Sequence, residues 1–293
     1  MVLQSPYVQK ILPFAFVFLW STGFIGAKFG LPYSEPLTFL FLRFVLVVLL
    51  MTPIALALRA PWPMSWLQAL HIGVTGLLIH AGYLGSVFVA IDRGLPAGPA
   101  ALVVGLQPLI TALFAGLLLG EMVSRRQWIG LVLGLTGVLL VLGSKLSLDG
   151  VTFAVLMYWL VPAIVGLLSI TAGTLYQKRF CAAFDLLTGS IIQFLPCLFL
   201  LGALAWLVET NEVQWTGEFI FALLWLTLVL SIGAITLLNR MIRHGSAVKV
   251  ASLFYLTPPT TALIAWAMFG ETLSLMAMLG LVISVYGVWL ARR

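Results

Sequence analysis

The stretch 100–141 recurs without a gap as 250–291, at an offset of 150 residues. Pro108 aligns with Pro258, Thr111 with Thr261, Gly120-Glu121 with Gly270-Glu271, Ser124 with Ser274, Gly130 with Gly280 and Gly137 with Gly287. Matches of Leu or Ala are cheap in an apolar chain; a registered set of Pro, Gly, Glu and Ser is not. The same offset relates Gly23 to Gly173, Lys28 to Lys178, and Leu37, Thr38 and Phe44 to Leu187, Thr188 and Phe194. The chain is one unit written twice, over 1–145 and 151–293.

Residues that are 62% hydrophobic and 8% charged exclude a water-soluble fold for this unit. Ten segments are long and apolar enough to cross a bilayer: 11–30, 37–58, 67–91, 96–119, 127–144, 155–177, 184–208, 216–239, 246–269 and 275–291. One set of alternate connections and ends holds Lys10, Arg59, Arg125, Arg126, Lys178, Arg179, Arg240, Arg243, Lys249, Arg292 and Arg293. The other set has only Lys28, Arg93 and Lys145, with Glu209, Glu212 and Glu218. The excess of positive charge on one side predicts that both termini face the cytoplasm. Five spans per copy is an odd number, so the second copy enters from the opposite side. The expected fold is an all-α integral membrane protein of ten transmembrane helices arranged as two inverted five-helix repeats.

A net charge of +6 elsewhere suggests nucleic acid, but here the cations sit in short connections, and no nucleic-acid partner is expected. Cys181 and Cys197 are separated by roughly 24 Å along a helix, too far for a disulfide. Lys10 precedes a full-length apolar run with no small-residue cleavage pattern, which reads as a retained first span.

The proline-centred helix ending in Leu119-Gly120-Glu121, the following Gln127-Trp128-Ile129-Gly130, the lone Arg43 of the second span and the second Phe269-Gly270-Glu271 resemble the EamA-type proteins of the drug/metabolite transporter superfamily. The resemblance covers nearly the whole chain. It implies a multi-pass carrier of the bacterial inner membrane, typically an exporter of amino acids or related small metabolites.

Arg43 starts about 10 Å below the outer end of its helix, where an unpaired charge costs on the order of 3 kcal/mol. It is either a cavity cation for a carboxylate or phosphate, or it reaches outward to headgroups or to Glu271. Its repeat mate is Gln193. Trp20 and Ser21, with Thr22 and Gly23, form a polar stripe two turns before Lys28, itself an interfacial anchor or a cavity residue. His80 and Tyr83 fall near the middle of the third span, where a histidine is either a proton carrier or a neutral hydrogen-bonded group. Gln107-Pro108 and Thr257-Pro258 remove backbone donors at matched depths, and broken segments at matched positions of two halves point to a binding site. Gln107, Thr111, Tyr255, Thr257 and Trp266 are therefore candidate cavity residues, as is Ser169 in the sixth span. Glu121 and Glu271 read as structural acceptors that hold tight helical hairpins. Gly130, Gly134, Gly137, Gly280, Ser284 and Gly287 allow close helix packing, within the chain or between subunits.

The chain has no HExxH, no paired intramembrane aspartates and no GxSxG, so an enzyme lacks its groups. It has no GxxxxGK[ST] loop, so ATP does not drive it directly. No metal or cofactor is expected. The expected function is secondary transport of a small-molecule substrate across the lipid bilayer by alternating access, most simply export of an amino acid or related compound. The alternatives are a drug or toxic-compound efflux carrier of the same fold and, from another class, a passive channel or lipid-handling protein. The chain is compatible with a monomer or a homodimer.

Overall fold

In lipid, backbone polar groups find partners only within their own segment, so a chain this apolar is driven into helices. The computed structural model describes residues 6–95, 97–143, 153–181, 184–269 and 274–292, and is all-helical with no strand among them. In order come α1 (Pro6–Gly30) and α2 (Pro36–Ala57). α3 (Trp66–Gly76) runs through a π-helical stretch, Leu77–Gly85, into α4 (Ser86–Asp92). Then follow α5 (Ala97–Val104), α6 (Gln107–Leu119), α7 (Arg125–Gly143), α8 (Phe153–Phe180) and α9 (Leu186–Val208). α10 (Gly217–Trp225) runs through a second π-helical stretch, Leu226–Ala234, into α11 (Ile235–His244). α12 (Ala247–Ala251), a 3₁₀ turn at Ser252–Leu256, α13 (Thr257–Phe269) and α14 (Leu275–Ala291) complete the order. Seven stretches among the described residues are long and apolar enough to cross a membrane, and shorter apolar helices cover Ile11–Gly23 and Leu275–Ala291.

The fourth expected span, 96–119, is interrupted. The helix stops at Val104 and restarts at Gln107, so Pro108 sits in a first turn, where its missing N–H is not needed. The matched Thr257-Pro258-Pro259 opens α13 directly after the 3₁₀ turn. The two π-helical stretches also fall at matched positions of the repeats.

Helix ends follow local chemistry. Ser65, Asp185, Thr216, Ser246 and Ser274 each accept a backbone N–H as N-caps. Ser124 and Gln127 form a reciprocal box, each side chain accepting the other's backbone N–H. Gly120 closes α6 in the left-handed region at φ 67°.

The Glu121 carboxylate reaches across the chain and not to its own hairpin. Both its carboxylate oxygens accept the Ala247 N–H, at 3.1 and 3.0 Å, tying the first half of the chain to the start of α12 in the second. Glu121→Ala is expected to cost about 1 kcal/mol, as loss of a helix cap does, and to lower the thermal midpoint of the detergent-solubilised protein. An unchanged midpoint would contradict the cap.

α2 packs against α9 and α7 against α14, each pair antiparallel. At the start of α2, the N–H groups of Leu37 and Thr38 donate to Glu209 just beyond the end of α9, at 2.8 and 2.7 Å. At the opposite end, Thr188 near the start of α9 donates to the Pro61 carbonyl at 2.7 Å, past the end of α2. In α7 and α14, Gly130 faces Gly287 and Ala291, while Gly137 faces Gly280 and Ser284. The stripe of small residues is thus consumed inside the chain, so it offers no subunit contact. α1 packs on the α10–α11 segment and on α13; its mate α8 packs on the α3–α4 segment and on α6.

One end of the bundle is acidic. There Thr210 donates to Glu35, Tyr33 donates to Glu218 at 2.6 Å, and an isolated bridge joins Ser34 to Val213. The other end is basic, with Lys178 donating to the Gly245 carbonyl and Arg179 to that of Leu118.

Candidate functional site

The first π-helical stretch carries His80 and Tyr83, and the second carries Leu230 and Ser231. A π turn rotates the residues that follow it off the face an α-helix would give them, which is why such turns recur at binding sites. Here both stretches turn polar groups towards α1 and α2. A chamber lies between them, lined by Trp20, Gly23 and Ala27 of α1, Arg43 of α2, Tyr83, and Leu230. It reaches from Arg43 and Tyr83 towards the acidic end, where Ile91 lines it close to the end of α4. Its volume is about 40 Å³, enough for only about three water molecules. A metabolite fits only if the helices move apart.

Arg43 is 2% exposed. Its Nε donates to Ser231 Oγ at 2.8 Å, and no Asp or Glu among the described residues lines the chamber. The terminal N–H groups of a guanidinium form a planar fork whose geometry matches a carboxylate or phosphate. The opposite wall is aromatic: Trp20 stacks parallel to Tyr83 at 6.4 Å, and Phe254 meets Trp20 edge-on at 5.3 Å. Trp20 and Tyr83 also border a second, smaller cavity beside the breaks at Gly105 and Thr257-Pro258.

The structure therefore brings Trp20, Arg43 and Tyr83 onto one chamber and sets Thr257 next to it. Ser21 has a different task. Its hydroxyl donates to the carbonyls of Val17 and Thr257, at 2.7 and 3.2 Å, stitching α1 to the start of α13. His80 is fully buried, stacked on Phe194 at 4.2 Å with Phe44 at its edge and the Gln193 side chain close by, and among the described residues neither ring nitrogen meets hydrogen-bond geometry. Gln107, Thr111, Tyr255 and Thr257 are also buried with unpartnered side-chain polar atoms. Such atoms are costly unless water or solute supplies the partner. Ser169 packs on Gly82 rather than on the chamber. Trp266 is 53% exposed and borders a separate apolar pocket with Pro259 and Met278. Glu271 and the side chain of Lys28 lie outside the described residues.

Three participants are absent from the candidates that sequence reading gives: Ser231, Asn239 and Gln177. Asn239 donates to Gln193 Oε1 and accepts from Gln177 Nε2, each at 3.0 Å. This chain joins α8, α9 and α11, and all three residues are at most 2% exposed. Gln177 and Gln193 are the repeat mates of Ala27 and Arg43. Positions that border a chamber in the first half are thus filled by bonded amides in the second.

A family model, the EamA-like transporter family, matches residues 10–143 and 157–293. The uncharacterized transporter YvbV of Bacillus subtilis (strain 168) is 28% identical, over 98% of this chain and 92% of its own length. The uncharacterized inner membrane transporter YedA of Escherichia coli (strain K12) is 27% identical, over 96% and 90%. A Salmonella typhimurium protein named "Probable amino-acid metabolite efflux pump" is 28% identical, over 94% and 91%. A solved crystal structure superposes with a TM-score of 0.79 over 98% of this chain and 97% of that one, at 23% identity, which speaks to the fold alone. Both halves of the sequence, and nearly all of its length, match one family of membrane transporters: the chain belongs to the EamA-like transporter family.

Proposed function

We propose that this membrane transporter is a ten-span secondary carrier of two inverted five-helix repeats. It exports a small metabolite with an anionic group, most simply an amino acid or a related compound, across a bacterial inner membrane. The observation that carries this reading is the buried Arg43, at the chamber with one neutral hydrogen-bond partner and no carboxylate on the lining among the described residues. Trp20 and Tyr83 favour a solute that also has an apolar or aromatic part. The named efflux relatives support the substrate class.

The antiparallel contacts of α2 with α9 and of α7 with α14 support inverted halves. The basic end is then cytoplasmic, with both termini, and the chamber faces outward. The Gln177–Asn239–Gln193 chain, with His80 stacked on Phe194, closes the cytoplasmic half. A path closed at one end favours a carrier over a passive channel. In the opposite state this chain breaks, and the halves exchange roles.

The test is to compare metabolites in the medium of cells with and without the protein, then to measure uptake of the enriched compounds into vesicles holding the purified protein. Enrichment of amino acids or their derivatives supports this reading. Transport confined to cationic amphipathic drugs would replace it with the drug-efflux alternative. The stacking of His80 on Phe194, away from the chamber lining, also has a consequence. His80→Gln is expected to leave the pH profile of transport in place, and a shifted profile would make His80 a proton carrier.

A further inference from the structure

A second cavity opens at the basic end, with a volume of about 470 Å³, within the range of ligand-sized pockets. Four cationic or titratable side chains converge on it: Arg240 and His244 of α11, Lys249 of α12, and Arg292 just past α14. No Asp or Glu among the described residues lines it, and Leu12 and Pro13 of α1 close one wall. Glu121, which bonds at the start of α12, spends both oxygens on the Ala247 N–H. Arg240 has an interaction of its own within the protein, so the case rests on His244, Lys249 and Arg292. Burial lowers the Arg292 pKa from its ordinary value, as expected for a cation without a facing carboxylate.

Membrane topology accounts for cations at this end but not for their convergence on one concave site. The repeat-matched positions are Ala90, Gly94, Pro99 and Leu142, so the charge is special to this end. The pocket also adjoins lipid-facing surface: on α1, Ile11 and Phe14 are 63% and 68% exposed beside Leu12 and Pro13, and Trp289 of α14 is 46% exposed below Arg292. A ligand with a phosphate and long apolar chains satisfies both surfaces at once, whereas a free phosphate satisfies only the cations.

We infer that this pocket holds the phosphate of an anionic phospholipid, whose acyl chains lie along α1 and α14. Bound there, the lipid bridges α1, α11, α12 and α14 and favours the arrangement in which the basic end is closed.

The test uses the full-length protein in mixed micelles carrying phosphatidylglycerol, phosphatidylcholine with the same chains, or sn-glycerol 3-phosphate in solution. Phosphatidylglycerol is expected to raise the thermal midpoint by on the order of 5 °C at saturation, and the other two by much less. The gain is expected to vanish in Lys249→Gln/Arg292→Gln and to survive in Arg125→Gln/Arg126→Gln, which removes two exposed cations from the same end outside the pocket. Equal gains from phosphatidylcholine or from sn-glycerol 3-phosphate, no gain at all, or equal loss in both double variants would overturn the assignment. If the pocket variant fails to fold, the three-ligand comparison on the unaltered protein still decides it.

Discussion

Arg43→Ala is expected to cut transport of an anionic or zwitterionic solute by more than tenfold while leaving the protein folded. A hydrogen bond to a charged group contributes about 1.5–3 kcal/mol, and each 1.4 kcal/mol is about a factor of ten. Among the described residues the guanidinium has one hydrogen-bond partner, Ser231, so its removal leaves one hydroxyl short of a bond rather than a charge without a partner. Thermal stability is therefore expected to hold or rise, because a buried cation without a counter-charge carries a desolvation penalty. Arg43→Lys keeps the charge but loses the planar fork, and partial activity is expected. Radiolabelled solute uptake into vesicles, normalised to protein content, reads the effect. Undiminished uptake by Arg43→Ala at normal abundance would remove Arg43 from the site.

The largest effect on folding is expected at Gly287. A Cβ there would meet the Gly134 backbone N–H and, at 2.7 Å, the Gly130 carbonyl oxygen. These are backbone atoms of α7 and have no rotamer into which to retreat. Gly287→Leu must push α14 off α7, and overpacking of this kind costs about 1–3 kcal/mol or more. Small residues are what allow membrane helices to approach closely, so the loss is not made good by burial in lipid. Folded yield and thermal midpoint are expected to collapse. Leu279→Phe, which enlarges a side chain 54% exposed on the same helix, is expected to be tolerated. A Gly287→Leu protein as stable as the parent would mean that α7 and α14 do not pack as described.

The all-helical membrane architecture could be read from the sequence, because a chain this apolar leaves its backbone few alternatives to helices. The helix N-caps at Ser124 and Ser274, each three residues past a Glu, are local and legible. Contacts between the halves were not. Glu121 reads as a hairpin acceptor until the fold brings Ala247 to it. Ser231, Asn239 and Gln177 are single polar residues in apolar helices, and whether such a residue faces lipid, protein or cavity depends on helix rotation, which the π-helical stretches alter. Asn239 also fell at the edge of an expected span, where a polar residue needs no explanation, but α11 continues to His244. Trp266 shows the same limit in reverse, since its neighbourhood to Pro258 in sequence did not decide the face it takes.

The central claim is that two opposed halves open one chamber to opposite sides in turn. In a background with Cys181 and Cys197 replaced by Ala, Ala27→Cys and its repeat mate Gln177→Cys are each exposed to a membrane-impermeant maleimide, in intact cells and in inverted vesicles. Ala27→Cys is expected to react only from outside and Gln177→Cys only from the cytoplasmic side. Reaction of both from the same side would contradict opposed halves, and with them the transport cycle built on them.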